Sequence, residues 1–153
     1  MGLLNKKTVL VTGGGRGVGR AIAIAAAEAG ANVAVNDLGV SLTGDSTGDS
    51  PAHEVVAEIE ALGGNAIALT DSVSSWDAAH SMIETTVAKF GAIDAVINNA
   101  GNLRDVIFHK MTEEDFDAVI NVHLKGTFNM SRAAAPFFKQ QNGGAFLHMA
   151  STS

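Results

Sequence analysis

Residues 8–37 read Thr8-Val9-Leu10-Val11, then Thr12-Gly13-Gly14-Gly15-Arg16-Gly17-Val18-Gly19, then an alanine-rich segment to Gly30 and a second apolar run that ends at Asn36-Asp37. The short apolar runs predict two buried strands, and the alanine-rich segment between them predicts a helix. Because glycine has no Cβ, the backbone can leave the first strand in a tight turn and come close to a ligand. The predicted order is strand, glycine turn, helix, strand and acidic residue.

The start of the predicted helix is suited to an anion. Its first amides have no partners within the helix and the helix dipole is positive there, so a phosphate group is the natural ligand. Asp37 lies 18 residues beyond Gly19, close to the spacing of about 20 at which an acidic residue meets the ribose hydroxyls in dinucleotide-binding folds. The turn therefore predicts a pyrophosphate site, and Asp37 predicts a site for the adjoining sugar.

The spacing of the glycines distinguishes between nucleotide-binding motifs. The strict Gly-x-Gly-x-x-Gly pattern fails, because its third glycine would fall on Val18, Arg20 or Ile22. A P-loop is excluded as well, since Arg20-Ala21 stand where Lys and Ser or Thr are needed. The pattern Thr-Gly-x-x-x-Gly-x-Gly fits Thr12–Gly19 and resembles the cofactor turn of the classical short-chain dehydrogenase/reductase family. A glycine-rich turn without a ligand is the alternative.

Length and composition are those of one soluble globular domain. The chain has 153 residues, of which 46% are hydrophobic and 17% charged, which is enough for a core and is not typical of disorder. A net charge of -6 and the lack of a basic block argue against binding to nucleic acid or to an anionic membrane. No apolar run approaches the roughly 20 residues of a membrane span, and Met1–Lys7 lack the apolar core of a signal peptide, so we expect a cytoplasmic protein.

Metal ligands are scarce in the sequence. Cysteine is absent, which excludes disulfides, thiolate metal sites and cysteine nucleophiles. The five histidines form no His-x-x-x-His pair and have no acidic companion at ligand spacing, so we predict no metal site. His109 and His123 stand near the expected cleft, and we expect His148 to be packed or hydrogen-bonded in a strand.

The rest of the chain alternates between helical and strand patterns. Predicted helices begin at Ser50-Pro51, at Ser74 with capping-box spacing, and at Thr112, the last one being long and kinked at Pro136. Strands are predicted over 65–69, 93–97 and 145–150, and an exposed loop over 38–50. Such alternation requires parallel pairing through right-handed crossovers. We therefore predict a single α/β domain with a doubly wound parallel sheet, a Rossmann fold, in the strand order 3-2-1-4-5.

The resemblance to short-chain dehydrogenases extends over nearly the whole chain. It implies a set of cofactor-binding residues: Gly13, Gly15, Arg16, Gly17, Val18, Gly19, Asp37, Asp71, Ser72, Asn99, Ala100 and Gly101. In the family, the positions of Asp71 and Ser72 meet the adenine, whereas the positions of Asn99–Gly101 line the nicotinamide. Capping of the next helix is the alternative role for Asp71 and Ser72. For Asn98 we expect a structural role.

The implied cofactor is NAD, with NADP as the alternative. The carboxylate of Asp37 can accept two hydrogen bonds from an adenosine ribose and would repel a 2′-phosphate, which favours NAD. Leu38-Gly39 follow it, so no basic residue stands directly there to bind such a phosphate. Arg16 is the opposing indication, because a basic residue just before the second motif glycine often accompanies NADP in the family.

Two residues match catalytic positions of the family. Ser151 resembles the serine that hydrogen-bonds the substrate carbonyl or hydroxyl just past the fifth strand, and Ser153 is a weaker candidate nearby. Asn121 resembles the helix asparagine that anchors a water molecule in the proton relay. The alternative for Asn121 is that it only satisfies the helix backbone.

The family's acid-base pair is missing from these residues. The proton donor is a tyrosine in a Tyr-x-x-x-Lys helix that follows the position of Ser151, and the lysine promotes ionisation of the phenol. This chain contains no tyrosine. We therefore expect residues 1–153 to be the N-terminal part of a longer short-chain dehydrogenase, without its last strands and inactive alone. A non-catalytic dinucleotide-binding module or sensor is the alternative.

A closer resemblance bears on the substrate. Val35–Gly39, Asp71–Val73 and Asn99–Asp105 look like the (3R)-hydroxyacyl-CoA dehydrogenase part of the peroxisomal type 2 multifunctional enzymes. The resemblance implies hydride transfer between a secondary alcohol, for example a 3-hydroxyacyl-CoA, and a ketone. It also implies a homodimer or homotetramer of the full-length form, assembled through the long helix Glu113–Gln140.

Overall fold

The computed structural model describes residues 2–40 and 50–151, which form one parallel sheet. Its strands are β1 (Thr8–Thr12), β2 (Asn32–Asn36), β3 (Asn65–Leu69), β4 (Ala95–Asn98) and β5 (Ala145–His148). They are ordered β3-β2-β1-β4-β5, and each neighbouring pair is parallel. The predicted doubly wound sheet and its strand order are confirmed. Since all strands run the same way, their carboxyl ends and the loops that follow meet at one edge of the sheet.

Helices connect the strands and cover both faces of the sheet. They are α1 (Gly17–Glu28), α2 (Pro51–Ala61), α3 (Trp76–Phe90), α4 (Glu113–Ile120) and α5 (Thr127–Gln140). A short 3-10 turn spans Phe108–Lys110, and a π-helical segment, Asn121–Gly126, joins α4 to α5. The predicted stop of α3 at Gly91 is confirmed, with a left-handed φ of 84° that suits glycine.

Two hydrophobic cores lie on opposite faces of the sheet, because successive strand residues point to opposite sides. One core packs α3 and α5 against the sheet, and the other packs α1 and α2 against it. Members of the first core include Leu10, Val96, Met82, Ile83, Ile93 and Met130. Members of the second include Val9, Val11, Val33, Val35, Val55 and Ile59. All five residues of β1 are buried, as expected for a central parallel strand.

The start of α3 corrects one prediction. The sequence predicts Ser74 as the N-cap, but the N-cap is Ser75, whose hydroxyl accepts a hydrogen bond from the amide of Ala78. Ser74 instead donates its hydroxyl to the carbonyl of Asn121 at 3.0 Å. Two adjacent serines offer equivalent caps in a sequence, and the tertiary contact decides between them. At the start of α4, by contrast, the predicted cap at Thr112 is confirmed as a full capping box.

The long helix after Thr112 is interrupted where the sequence does not predict it. The irregularity is the π-helical segment Asn121–Gly126, and α5 continues through Pro136 to Gln140. Strand bounds also differ slightly, since β4 covers 95–98 instead of 93–97 and β5 ends at 148 instead of 150. Most of the predicted 38–50 loop, and the weaker catalytic candidate Ser153, lie outside the described residues.

Candidate active site

The glycine turn leaves β1 and leads into α1 at the carboxyl edge of the sheet. The amide of Gly14 donates to the carbonyl of Asn36 at 2.8 Å, and the amide of Gly15 donates to Oδ2 of Asp37 at 3.0 Å. These two bonds join the turn to the end of β2. The structure therefore brings the predicted phosphate turn and the predicted sugar-binding acid together.

The first turn of α1 is open to an anion. Among the described residues no side chain caps it and no acid lies in it; its N-cap is Arg16. The starts of α3 and α4 differ, since hydroxyl groups cap them and acidic residues follow. Arg16 and Val18 are exposed. Open amides in this first helical turn and a nearby cation form a suitable environment for phosphate.

Gly19 lies at the closest approach within this turn. A Cβ at this position would lie 2.0 Å from the carbonyl oxygen of Gly13 and 2.4 Å from Nδ2 of Asn99. No side chain fits there without a change in the backbone. The glycine lets α1 begin directly against the turn, which keeps its free amides at the edge of the sheet.

Asp37 is partly buried and holds two backbone amides. Its Oδ2 accepts from Gly15 at 3.0 Å and its Oδ1 accepts from Gly39 at 2.9 Å. The guanidinium of Arg16 reaches over the same strand end, where Nη1 donates to the carbonyl of Val40 at 3.3 Å. The acid that favours NAD and the base that favours NADP thus lie at one strand end.

Asp71 and Ser72 follow β3 beside Asp37. Nδ2 of Asn36, which is buried, donates to the carbonyl of Asp71 at 2.9 Å and to that of Leu69 at 3.2 Å. The side chain of Asp71 is exposed, whereas Oγ of Ser72 accepts from the amide of Ser74 at 3.2 Å. The hydroxyl of Ser72 therefore forms the turn before α3, and the N-cap itself is Ser75.

Asn99 and Ala100 connect β4 to the glycine turn. Nδ2 of Asn99 donates to the carbonyls of Thr12 and Gly13 at 3.1 and 2.9 Å. The hydroxyl oxygen of Thr12 accepts from the amides of Asn99 and Ala100, at 3.0 Å each. The preceding residue, Asn98, is buried and its Nδ2 lies 3.2 Å from both Ser131 Oγ and His148 Nδ1.

A pocket of about 610 Å³ opens between the end of β4, α4 and the residues after β5. It brings the predicted residues Asn99, Ala100 and Ser151 to one cavity. The remaining wall is largely apolar, apart from an asparagine, a cation, an acid and a histidine. It is formed by Asn102, Leu103, Arg104, Met111, Asp115, Phe116, Val119, Ile120, His123, Met149 and Ala150. Such a lining suits a ligand with an apolar body and a polar reacting group.

Asn121 stands at the first position of the π-helical segment, close to this pocket. Its carbonyl accepts a hydrogen bond from the hydroxyl of Ser74. The pocket is lined by Ile120, which precedes Asn121, and by His123, which lies two residues after it. Gly101 lies under the ring of His123, where a Cβ would be 2.6 Å from Cε1. The predicted nicotinamide segment therefore packs against the same π-helical segment that contains the predicted relay residue.

The described part of the chain shows neither a metal-binding cluster nor a membrane-spanning helix. Within residues 2–40 and 50–151, no group of three or more histidine and acidic side chains is arranged to hold a metal ion. No helix in these ranges is both long and apolar enough to cross a bilayer.

Three residues of this site have contacts that the sequence does not predict: Asn36, Asn102 and His123, of which only His123 is expected near the cleft. Each contacts backbone groups that are distant in the sequence, so no motif marks it. Asn36 carries a weak signal, because an asparagine at the end of an apolar strand must find hydrogen-bond partners when buried.

Comparison with known proteins identifies the family. A family model described as short chain dehydrogenase matches residues 7–153. The mouse peroxisomal multifunctional enzyme type 2 is 48% identical over 147 residues, which is 96% of this chain and 20% of that protein. A short chain dehydrogenase from Mycobacterium avium superposes with a TM-score of 0.88 at 44% identity, over 98% of this chain and 54% of that one.

A second solved structure is a 7α-hydroxysteroid dehydrogenase in complex with NADH and 7-oxo glycochenodeoxycholic acid. It is 32% identical, with a TM-score of 0.87 over 97% of this chain and 54% of that one. The chain thus spans about half the length of the two crystallised relatives and a fifth of the mouse protein. On the family match and these identities, the chain belongs to the short-chain dehydrogenase/reductase family.

Proposed function

We propose that this chain is the cofactor-binding part of an NAD-dependent oxidoreductase that interconverts a secondary alcohol and a ketone. The observation that carries the proposal is the bond from the Gly15 amide to Asp37, beside the uncapped start of α1. This bond supports the proposal because it joins the turn proposed to bind phosphate to the acid proposed to bind the ribose. The relative solved with NADH supports a nicotinamide dinucleotide as the cofactor class.

The residues present fit such a cofactor. The pyrophosphate would rest on the open amides at the start of α1, where, among the described residues, no side chain caps the helix and no acidic residue lies in the first turn. The ribose hydroxyls would donate to Asp37, whose two oxygens each keep a lone pair beyond their amide bonds. When bound, the nicotinamide ring supplies or accepts the hydride.

We favour NAD over NADP because of the charge of Asp37. A 2′-phosphate on the adenosine ribose would lie against this carboxylate and be repelled. Arg16 could offset part of that repulsion, since its guanidinium reaches the same strand end. The comparison of NADH and NADPH affinities is therefore the direct test of the choice.

The proposed substrate is an alcohol with an apolar body, such as a 3-hydroxyacyl-CoA. The relative from mouse, a peroxisomal multifunctional enzyme, supports this class by its similarity over nearly the whole chain. The pocket supports it through its apolar wall, with Ser151 proposed to hold the reacting oxygen. Asn121 is proposed to hold a relay water from the neighbouring helix. Assays of 3-hydroxyacyl-CoAs, steroids and simple alcohols would test the class, and turnover confined to sugars would refute it.

We propose that residues 1–153 belong to a longer polypeptide. The described chain has no tyrosine to act as proton donor, and its relatives extend well beyond the matched region. A following Tyr-x-x-x-Lys segment would have to reach the pocket beside Ser151. We accordingly expect the 153 residues to bind cofactor and to show no turnover, whereas the longer protein turns over.

A dinucleotide sensor is the second candidate, favoured by the absence of tyrosine. Titration with NADH, followed by its fluorescence, tests binding on the 153-residue chain itself. Production of NADH from alcohol by the longer protein then separates an enzyme from a sensor. Failure of both NADH and NADPH to bind a folded sample would refute both candidates.

We also propose a homodimer or homotetramer of the longer form. Large apolar side chains along α4, the π-helical segment and α5 are more than half exposed: Phe116, Leu124 and Phe128. An exposed row of this kind is typical of a protein interface. Light scattering of the longer protein should show an oligomer that a Leu124→Glu variant weakens.

A further inference from the structure

The segment Asn99–Asn102 is attached at both of its ends. At the first end, Nδ2 of Asn99 donates to the carbonyls of Thr12 and Gly13 in the glycine turn. At the other end, Nδ2 of Asn102 donates to the carbonyl of Ala118 in α4 at 3.0 Å. The segment therefore connects the proposed phosphate site with α4, the helix that leads into the π-helical segment containing Asn121.

His123 adds a second attachment at the Asn102 end. Its Nε2 lies 3.1 Å from the amide nitrogen of Asn102 and 2.9 Å from the carbonyl oxygen of the same residue. With the proton on Nδ1, Nε2 accepts from the amide; with the proton on Nε2, it donates to the carbonyl. Either tautomer makes a hydrogen bond to the backbone of Asn102.

The imidazole ring of His123 also fixes the position of Gly101, the residue before Asn102. A Cβ on Gly101 would lie 2.6 Å from Cε1 and 3.1 Å from Nε2 of His123. The backbone of Gly101 is thus packed directly against the imidazole, at a distance that only glycine permits. The packing of Gly101 against His123 and the hydrogen bond between His123 and Asn102 together set the distance from Asn99–Asn102 to the π-helical segment.

His123 stands two residues after Asn121, within the π-helical segment. Among the described residues, the Ala118 bond attaches Asn102 to α4, and the His123 bond attaches it to the segment that contains Asn121. We propose that His123 is a positioning residue, which sets the distance between the nicotinamide-lining residues and the relay asparagine. The expected effect on NADH binding rests on the proposed function, whereas the attachment of Asn102 to His123 does not.

The experiment compares two ligands on the 153-residue chain. NADH carries a nicotinamide, and ADP-ribose lacks it but shares the adenosine and pyrophosphate. We expect His123→Phe to weaken NADH binding roughly three- to tenfold, the effect of one lost hydrogen bond, and to change ADP-ribose binding less than about twofold. His123→Gln places an amide near the position of Nε2 and should restore NADH binding to within about twofold of wild type.

His80→Phe is the matched control. His80 lies on α3, where it is partly exposed and its Nδ1 contacts the carbonyl of Trp76 at 2.9 Å, so the substitution removes a histidine away from the segment. It should leave both affinities unchanged. Equal weakening of NADH and ADP-ribose by His123→Phe, or failure of His123→Gln to restore binding, would overturn the proposal.

A second measurement needs no cofactor. NMR order parameters of the Gly101 and Asn102 amides should be about 0.85 in wild type and His123→Gln, and should fall toward about 0.6 in His123→Phe. Unchanged order parameters would overturn the attachment. If wild type bound neither NADH nor ADP-ribose, the proposed function would fail, and the order parameters would still decide whether His123 fixes the segment.

Discussion

The carboxylate of Asp37 accepts a hydrogen bond from the amide of Gly15 across 3.0 Å, which joins the end of β2 to the glycine turn. Its other oxygen accepts from the amide of Gly39 at 2.9 Å. Because a carboxylate has about four acceptor positions, a ribose can be bound in addition to these amides. One side chain can therefore both shape the turn and bind the sugar.

The first prediction concerns the charge of Asp37. Asp37→Asn keeps an oxygen acceptor of the same size but removes the negative charge that would repel a 2′-phosphate. We expect the preference for NADH over NADPH to shrink by about tenfold, since a charged hydrogen bond is lost toward one ligand and a repulsion toward the other. Fluorescence titrations with both cofactors measure the ratio.

Asp117→Asn is the control for this change in charge. Asp117 is exposed on α4, so the substitution alters the net charge equally without reaching the strand end. Its NADH to NADPH ratio should equal that of wild type. An Asp37→Asn variant that lost affinity for both cofactors by the same factor would show that Asp37 supports the turn and does not discriminate between the sugars.

The second prediction concerns the buried hydroxyl of Thr12, which accepts from the amides of Asn99 and Ala100 at 3.0 Å each. Thr12→Val has the same shape but leaves both amides without their acceptor. We expect the free energy of unfolding to fall by about 2–4 kcal/mol, because each unsatisfied buried donor costs about 1–3 kcal/mol. Urea unfolding, followed by circular dichroism, gives the value.

Thr12→Ser separates the hydroxyl from the methyl group. It retains the acceptor and removes one methyl, so the expected loss is only about 1 kcal/mol. If serine and valine proved equally destabilising, packing of the methyl would be the main contribution of this residue, and the account of its hydroxyl would be wrong.

The third prediction concerns the start of α3. Ser75→Ala removes the acceptor of the Ala78 amide and should lower the free energy of unfolding by about 1 kcal/mol, as for other N-caps. Ser74→Ala removes an exposed bond to the carbonyl of Asn121 and should cost less than about 0.5 kcal/mol. Thermal unfolding of the two variants side by side measures the difference, and the reverse order would restore Ser74 as the cap.

Two stretches of the chain show how much of the fold can be predicted from the sequence. The apolar run Thr8–Val11, the turn and Asp37 are local patterns, and they predict β1, α1 and β2 correctly. No local pattern predicts the π-helical segment Asn121–Gly126, and it lies against a residue that is distant in the sequence, Val73. Gly126 packs against that side chain, and Asn129 donates to its carbonyl at 3.0 Å from 56 positions away.

The candidate site shows the same division. Parallel strands bring their carboxyl ends together, so the turn, Asp37 and Asn99 are predicted to meet once the sheet is predicted. From the sequence, His123 is predicted only to lie near the cleft. Its partner is the backbone of Asn102, and since any residue type has such backbone groups, no sequence pattern marks this contact. Side chains that bind backbone leave little pattern in a single sequence.

The last prediction separates two glycines of the same motif. A Cβ on Gly19 would collide with the carbonyl oxygen of Gly13 at 2.0 Å, whereas a Cβ on Gly17 would meet nothing within 4 Å. Gly19→Ala must therefore open the turn, and we expect NADH binding to weaken by more than about tenfold. Gly17 has a φ of +52°, so Gly17→Ala costs about 1–2 kcal/mol of backbone strain but leaves the turn in place.

Gly17→Asn refines this comparison, because asparagine adopts the left-handed conformation more readily than alanine. It should recover part of the stability that Gly17→Ala loses, while NADH affinity stays within about threefold of wild type in both variants. Calorimetric titration of the three folded variants with NADH measures this order. A Cβ at Gly19 would conflict with the turn and one at Gly17 would not, so an equal loss of NADH affinity in Gly17→Asn and Gly19→Ala would show that closure of the turn at Gly19 is not what NADH binding depends on.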